Sequence, residues 1–316
     1  MLIFVYFSEH VNSLLWPHEL HNHSLERNMK KLITLAASAL IAHSAFAADT
    51  KPLTLDVYNA APGSFGVTST LVYGETEAMV VDAGFTKADA LRIAAKVLDS
   101  NKELKTIFIS QADPDYYFGA ETLHAIFPKA DIITTPAVKA AIEQKLAGKL
   151  AFWGPQMGAN APVNPIVPTA YTQSTLTVDG QTIEIRGTEG VLASRPYLWI
   201  PANKAILGNV AVFRNMHLWM ADAQSDETQA AWKAQLQEML ALKPTTVVPG
   251  HMTQGTELTA DNITFSLNYI TDFQKAKKNS KDSAELIKTM STKYPDAQGA
   301  LNLNIAAKVH KGEMKW

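Results

Sequence analysis

The sequence predicts an α/β fold, a four-layer αββα sandwich with a helical extension at its carboxyl end. Short β-branched segments fall into two sets, one within residues 53–134 and one within 176–248. Each set is accompanied by stretches of helical period, and two sheets that each carry outer helices stack face to face. From Glu257 to the end the pattern is mostly helical, which supplies the extension.

In the first half, Leu53 to Tyr58, Thr68 to Tyr73 and Ala78 to Val81 read as strands, and Asp82-Ala83-Gly84 ends the third. Thr86 to Leu98 reads as an amphipathic helix with Ala90, Ile93, Ala94, Val97 and Leu98 on one face. A strand at 105–109, a helix at 119–127, a strand from Asp131 to Thr134 and a helix from Ala137 to Leu146 follow. Phe152 to Pro168, rich in Gly, Pro and Asn, reads as a long loop over the domain face, with Trp153 and Met157 available as a pocket wall. In the second half Leu176 to Val178, Gln181 to Arg186, Tyr197 to Ile200 and Lys204 to Leu207 read as strands. Asp226 to Leu240 reads as a helix, and Thr246-Val247-Val248 as a strand that ends in Pro249-Gly250-His251. Asp282-Ser283-Ala284-Glu285 has the form of a helix amino-terminal cap.

Composition narrows the function classes. The chain has 316 residues, 47% hydrophobic and 18% charged, with a formal net charge of -2. That balance lacks the basic footprint that phosphate backbones require, so nucleic acid is not an expected partner and a small molecule is. There is no cysteine, which removes thiolate ligands, thiol nucleophiles and disulfides.

Met29-Lys30-Lys31, the apolar run Leu32 to Ala42 and Ala45-Phe46-Ala47 together read as an export signal, too short for a membrane anchor. Residues 29–48 are therefore expected to be removed, and residues 1–28 to be an upstream extension ahead of the true start at Met29. The expected mature protein is one periplasmic or secreted domain, residues 49–316, with 257–316 as its helical extension. Five of the nine histidines precede residue 48, leaving His124, His217, His251 and His310.

Four loops carry the chemistry: Val80 to Gly84, Ser110 to Tyr116, Ile206 to Asn209, and Val248 to His251. In the second, Asp113 and Asp115 flank Pro114. Two carboxylates so placed either share a cation or cap the following helix. His251 ends a strand, a position suited to a site histidine and equally to a buried one. His217, in Asn215 to Asp222, is a candidate replacement ligand or acid–base group together with Asp222, or else a packing residue. Tyr116 is a candidate donor to a developing oxyanion, or a filler of apolar space. Glu189 is a candidate compensating carboxylate, or a solvated loop charge.

The order and spacing of these loops resemble the metallo-β-lactamase superfamily over nearly the whole mature chain. The resemblance implies an αββα sandwich with one or two zinc ions at the sheet edge. Those metals activate water for hydrolysis of esters, lactones, thioesters, β-lactams or phosphodiesters. Asp82 matches the aspartate after the early strand. Where the family has His-x-His-x-Asp-His, this chain has Gln111, Asp113, Asp115 and Tyr116. Val191 stands at the next ligand histidine, Asn209 at the bridging aspartate, and His251 at the last histidine.

A catalytic zinc needs about three good ligands and an open position for water. A dinuclear zinc site is therefore not expected here. One divalent ion, zinc or a harder ion such as Mn or Mg, is expected at most, held by Asp115 and His251 with help from Asp113 or His217. Two functions follow. The first is a divergent metal-dependent hydrolase of a small ester, lactone or amide-like substrate in the periplasm, with Asp115 and Tyr116 as catalytic residues. The second is an inactive relative that keeps the cleft as a binding or partner-recognition module.

Overall fold

The computed structural model describes residues 51–316; the expected upstream extension and export signal lie outside them. Among these residues no helix is long and apolar enough to cross a membrane.

The first sheet orders its strands β1 (Thr54–Asn59), β2 (Thr68–Tyr73), β3 (Glu77–Val81), β4 (Glu103–Phe108), β5 (Asp131–Thr134) and β6 (Thr169–Ala170). Its first three are antiparallel neighbours, and from β3 onward the pairing is parallel. The helices α1 (Lys87–Ser100), α2 (Pro114–Tyr117), α3 (Ala120–Ile126) and α4 (Pro136–Met157) supply the crossovers that parallel pairing demands. The second sheet contains β7 (Thr175–Val178), β8 (Gln181–Arg186), β9 (Tyr197–Ile200), β10 (Ala205–Leu207) and β12 (Thr246–Val247), in the order β12-β10-β9-β8-β7. A small parallel ladder joins β11 (Phe213–Arg214) to β13 (His251–Met252). Outside lie α5 (Asp226–Ala241), α6 (Asp261–Asn279), α7 (Ser283–Lys293) and α8 (Ala300–His310).

Side-chain alternation along the strands builds the layers. Val72, Met79, Val81 and Phe108 face Ile183, Ile185, Leu198, Ile200 and Leu207 between the sheets. Their neighbours in sequence, Leu71, Val80 and Ile107, turn the other way onto Ala90, Ile93 and Val97 of α1 and Val138 and Ile142 of α4. On the far side, Tyr197, Trp199 and Ile206 meet Trp232, Leu236 and Met239 of α5, and the same core runs on into Ile270 and Phe273 of α6. These are the four expected layers.

Helix starts follow local chemistry. Thr86 and Asp89 form a reciprocal capping box on α1, Thr135 caps α4 ahead of Pro136, and the Asp282 side chain accepts from the Glu285 amide. The expected loop 152–168 is corrected at its front. Helix α4 runs on through Pro155 to Met157, followed by a 3₁₀ turn at Gly158–Asn160. Pro155 sits in the last turn, where its missing N–H costs one bond, and the Gln156 amide donates to the Phe152 carbonyl there. Trp153 holds this end of the helix against Phe65 and Phe85, with both ring centroids at 5.4 Å.

Candidate functional site

The ends of β3 and β4 are tied together by Asp82. Its backbone is left-handed at φ 66°, its side chain is buried, and its two oxygens accept from the Ser110 amide at 2.7 Å and the Ser110 hydroxyl at 2.8 Å. Burial outweighs those two bonds and raises its pKa to about 7. Asp82 thus fixes the start of the Ser110–Tyr116 loop. Gly119 completes the frame, because a β-carbon there would meet the Ala83 carbonyl oxygen at 2.1 Å. That contact explains why glycine follows Tyr-Tyr-Phe: the short helix α2 must press on the Asp82-Ala83-Gly84 turn.

His251 is buried between two rings, stacked on Phe213 at 4.7 Å and edge-on to Tyr116 at 5.6 Å. Its Nδ1 lies 3.1 Å from the Phe65 carbonyl oxygen, which can only accept, so Nδ1 carries the proton. Nε2 then faces the Asp115 Oδ2 at 3.6 Å. Burial lowers the His251 pKa to about 4, and burial together with the negative charge of Asp113 raises that of Asp115 to about 8. Both shifts favour the neutral forms, an uncharged imidazole beside a protonated carboxyl.

Gln111, Asn209 and Tyr116, three of the other matched positions, are committed to packing. Gln111 donates to the Pro196 carbonyl. The Asn209 amide donates to Val248 O at 3.1 Å and accepts from Val212 N at 2.8 Å, tying two loops together. Tyr116 is fully buried, with its hydroxyl 3.3 Å from the Asn209 carbonyl oxygen. Burial raises its pKa well above the ordinary value, so it remains a phenol. Val191 and Glu189 are exposed at the Gly190–Leu192 turn.

His217 does not join Asp115 and His251. It is buried near α6, with Nδ1 2.9 Å from the Tyr269 hydroxyl, and burial lowers its pKa. Asp113 lines an open cleft instead, 3.7 Å from Lys149. Burial, then the negative charge of Asp222, raises its pKa. Among the described residues no three His, Cys, Asp or Glu side chains gather closely enough to hold a metal ion. The expected ligand set Asp113, Asp115, His217 and His251 therefore reduces to one carboxyl and one imidazole, short of what a catalytic ion needs. The residues present do not fit the group.

The cleft has a volume of about 680 Å³ and lies over Gln111-Ala112-Asp113. Asp115, Tyr116 and His251 are not among its walls. Its charged groups are Asp113, Lys145, Lys149, Arg195 and Asp222, and its rings include Phe152, Trp153, Trp219 and Trp316. Arg195 is 3.7 Å from Asp222 and lies over the Trp232 ring at 5.5 Å. Of this set, the sequence pointed to Asp113, Asp222 and the Trp153 wall. Lys149, Arg195 and Trp316 stand in no motif and come from α4, the 190–195 turn and the end of the chain. Only their convergence marks them.

A model of the metallo-beta-lactamase superfamily matches residues 62–251. Among solved structures, a metallo-beta-lactamase family protein from Thermus thermophilus is similar with a TM-score of 0.56 at 13% identity, over 82% of this chain and 91% of that one. A metallo-beta-lactamase from Pontibacter korlensis is similar at 18% identity over 70% of this chain and 93% of that one, with a TM-score of 0.48. No curated protein matches the chain.

Proposed function

We infer that this chain, which belongs to the metallo-β-lactamase superfamily, acts as a metal-independent binding module that holds a small molecule in the cleft beside the family's metal position. The observation that carries this reading is Tyr116. Its buried ring packs on His251 and its hydroxyl rests on Asn209, so an aromatic side chain fills the space among the residues that match the second-metal positions. The Asn209 amide, the His251 Nδ1 and the Tyr116 hydroxyl are each taken up by backbone partners, which suits a core and not an open coordination shell. The export signal read in residues 29–48 supports action outside the cytoplasm.

One observation favours the hydrolase reading. His251 directs Nδ1 to a backbone carbonyl and Nε2 to Asp115, the orientation that ligand histidines adopt. In that reading Asp115 and His251 would hold a single zinc, manganese or magnesium ion for hydrolysis of an ester, lactone or amide-like bond.

Metal analysis separates the two. Protein purified without chelator is expected to carry less than about a tenth of an equivalent of any divalent metal and to show no thermal shift with zinc or manganese, since an ion bound to the native state must stabilise it. Stoichiometric metal that is lost in His251→Ala overturns the binding-module reading.

A further inference from the structure

We propose that the cleft binds a planar nitrogen heteroaromatic bearing an anionic group, and that Trp316 occupies part of the same site as a built-in competitor. The proposal rests on the binding-module reading above and names the ligand class of that cleft.

The indole of Trp316 shows what the walls recognise. Its Nε1–H donates to Asp222 Oδ1 at 2.5 Å, its ring meets Trp219 edge-on at 5.2 Å, and the Lys149 ammonium lies over its face at 5.8 Å. Each contact is selective: a carboxylate wants an N–H donor, while an aromatic neighbour and a cation want a π face. Asp222 is held for this task by Arg195, which is itself laid over Trp232. The acceptor is therefore fixed before any ligand arrives.

Trp316 itself is held loosely. Half of its surface stays exposed, and it lies six residues beyond the end of α8 at His310. A free heteroaromatic with the same three contacts can displace it without disturbing the core. Charge supplies the second half of the ligand's description. Among the wall side chains Lys145, Lys149 and Arg195 outnumber Asp113 and Asp222, which suits an anionic substituent on the ring once the Trp316 segment has left the cleft.

The test is calorimetric titration of indole-3-acetate and of its N-methyl analogue into chelator-treated protein, with metal content measured on the same samples. A site blocked by its own side chain has an apparent affinity reduced by the blocked fraction, so Trp316→Ala is expected to bind indole-3-acetate about tenfold tighter than the wild type. In that background the N-methyl probe, which lacks the N–H, is expected to bind about tenfold more weakly, and Asp222→Ala, which removes the acceptor, to erase the difference between the two probes. Trp316→Phe, which keeps a ring and loses the donor, should fall between wild type and Trp316→Ala and guards against a folding artefact.

Equal binding of the two probes to Trp316→Ala, or no gain over wild type, overturns the proposal. If neither probe binds and the protein is metal-free, the ligand class fails while the binding-module reading stands. Binding seen only after stoichiometric zinc is taken up overturns both.

Discussion

The Tyr116 hydroxyl donates to the Asn209 carbonyl oxygen across 3.3 Å, and a β-carbon added to Gly250 would lie 2.7 Å from that hydroxyl. Three of the four loops that define the family's site thus meet at one phenol. An ordered ring, two backbone segments and a buried histidine share the space, and each has become a packing partner of the others.

Removing that ring should cost stability. Tyr116→Ala leaves a cavity against His251 and is expected to destabilise the fold by roughly 3–5 kcal/mol in urea unfolding. Tyr116→Phe keeps the volume and loses only the bond to Asn209, at about 1 kcal/mol. Equal stability of Tyr116→Ala and wild type would contradict the packed arrangement.

Asn209→Asp restores the residue type that the family uses as a metal bridge, yet it should not restore a metal. The substitution removes the donor to Val248 O and sets a buried charge against a carbonyl. A loss of about 3 kcal/mol is expected, with no stoichiometric zinc in the purified variant. Elemental analysis and urea unfolding of one preparation check both parts.

Gly250→Ala should be poorly tolerated. The new β-carbon would stand 1.9 Å from the Asn209 carbonyl oxygen, a backbone atom held by its own loop. Overpacking of this kind costs about 1–3 kcal/mol or more, read as a lower urea midpoint at unchanged slope. An unchanged midpoint would mean that the two loops do not approach so closely.

Asp82 carries a pH dependence whose sign can be worked out. Its pKa is raised from 3.8 to about 7 in the fold, so between those values the native state binds more protons than the unfolded chain. Stability therefore falls as pH rises through that window, and the contribution is constant above it. Asp115, raised to about 8, acts in the same direction, while His251, lowered from 6.5 to about 4, opposes them below its ordinary value. Asp82→Asn is expected to lose less stability than wild type between about pH 5 and about pH 7, measured by urea unfolding at each pH. A steeper loss in the variant would reverse the assignment.

Much of the architecture was legible because it depends on local periodicity. The helical period of α1 placed Ala90, Ile93, Ala94 and Val97 inward, as they lie, although Leu98 from the same expected face is exposed. Pro155 misled the reading of 152–168. A proline and two nearby glycines look like a loop in sequence, whereas the contacts of Trp153 with Phe65 and Phe85 continue the helix to Met157.

The sequence by itself determined ancestry and the substitutions at Gln111, Val191 and Asn209, since identity at matched positions needs no coordinates. It left two roles open for Asp113, Asp115, Tyr116, His217 and His251, because a side chain's partners come from distant segments. Tertiary structure decided those partners. Asp115 faces His251, Asp113 faces Lys149, and His217 meets Tyr269, each across many residues of chain. The cleft was hidden for the same reason. Lys149, Arg195, Asp222 and Trp316 converge only after α4, the second sheet and the carboxyl-terminal helices have packed, and no local period records that meeting.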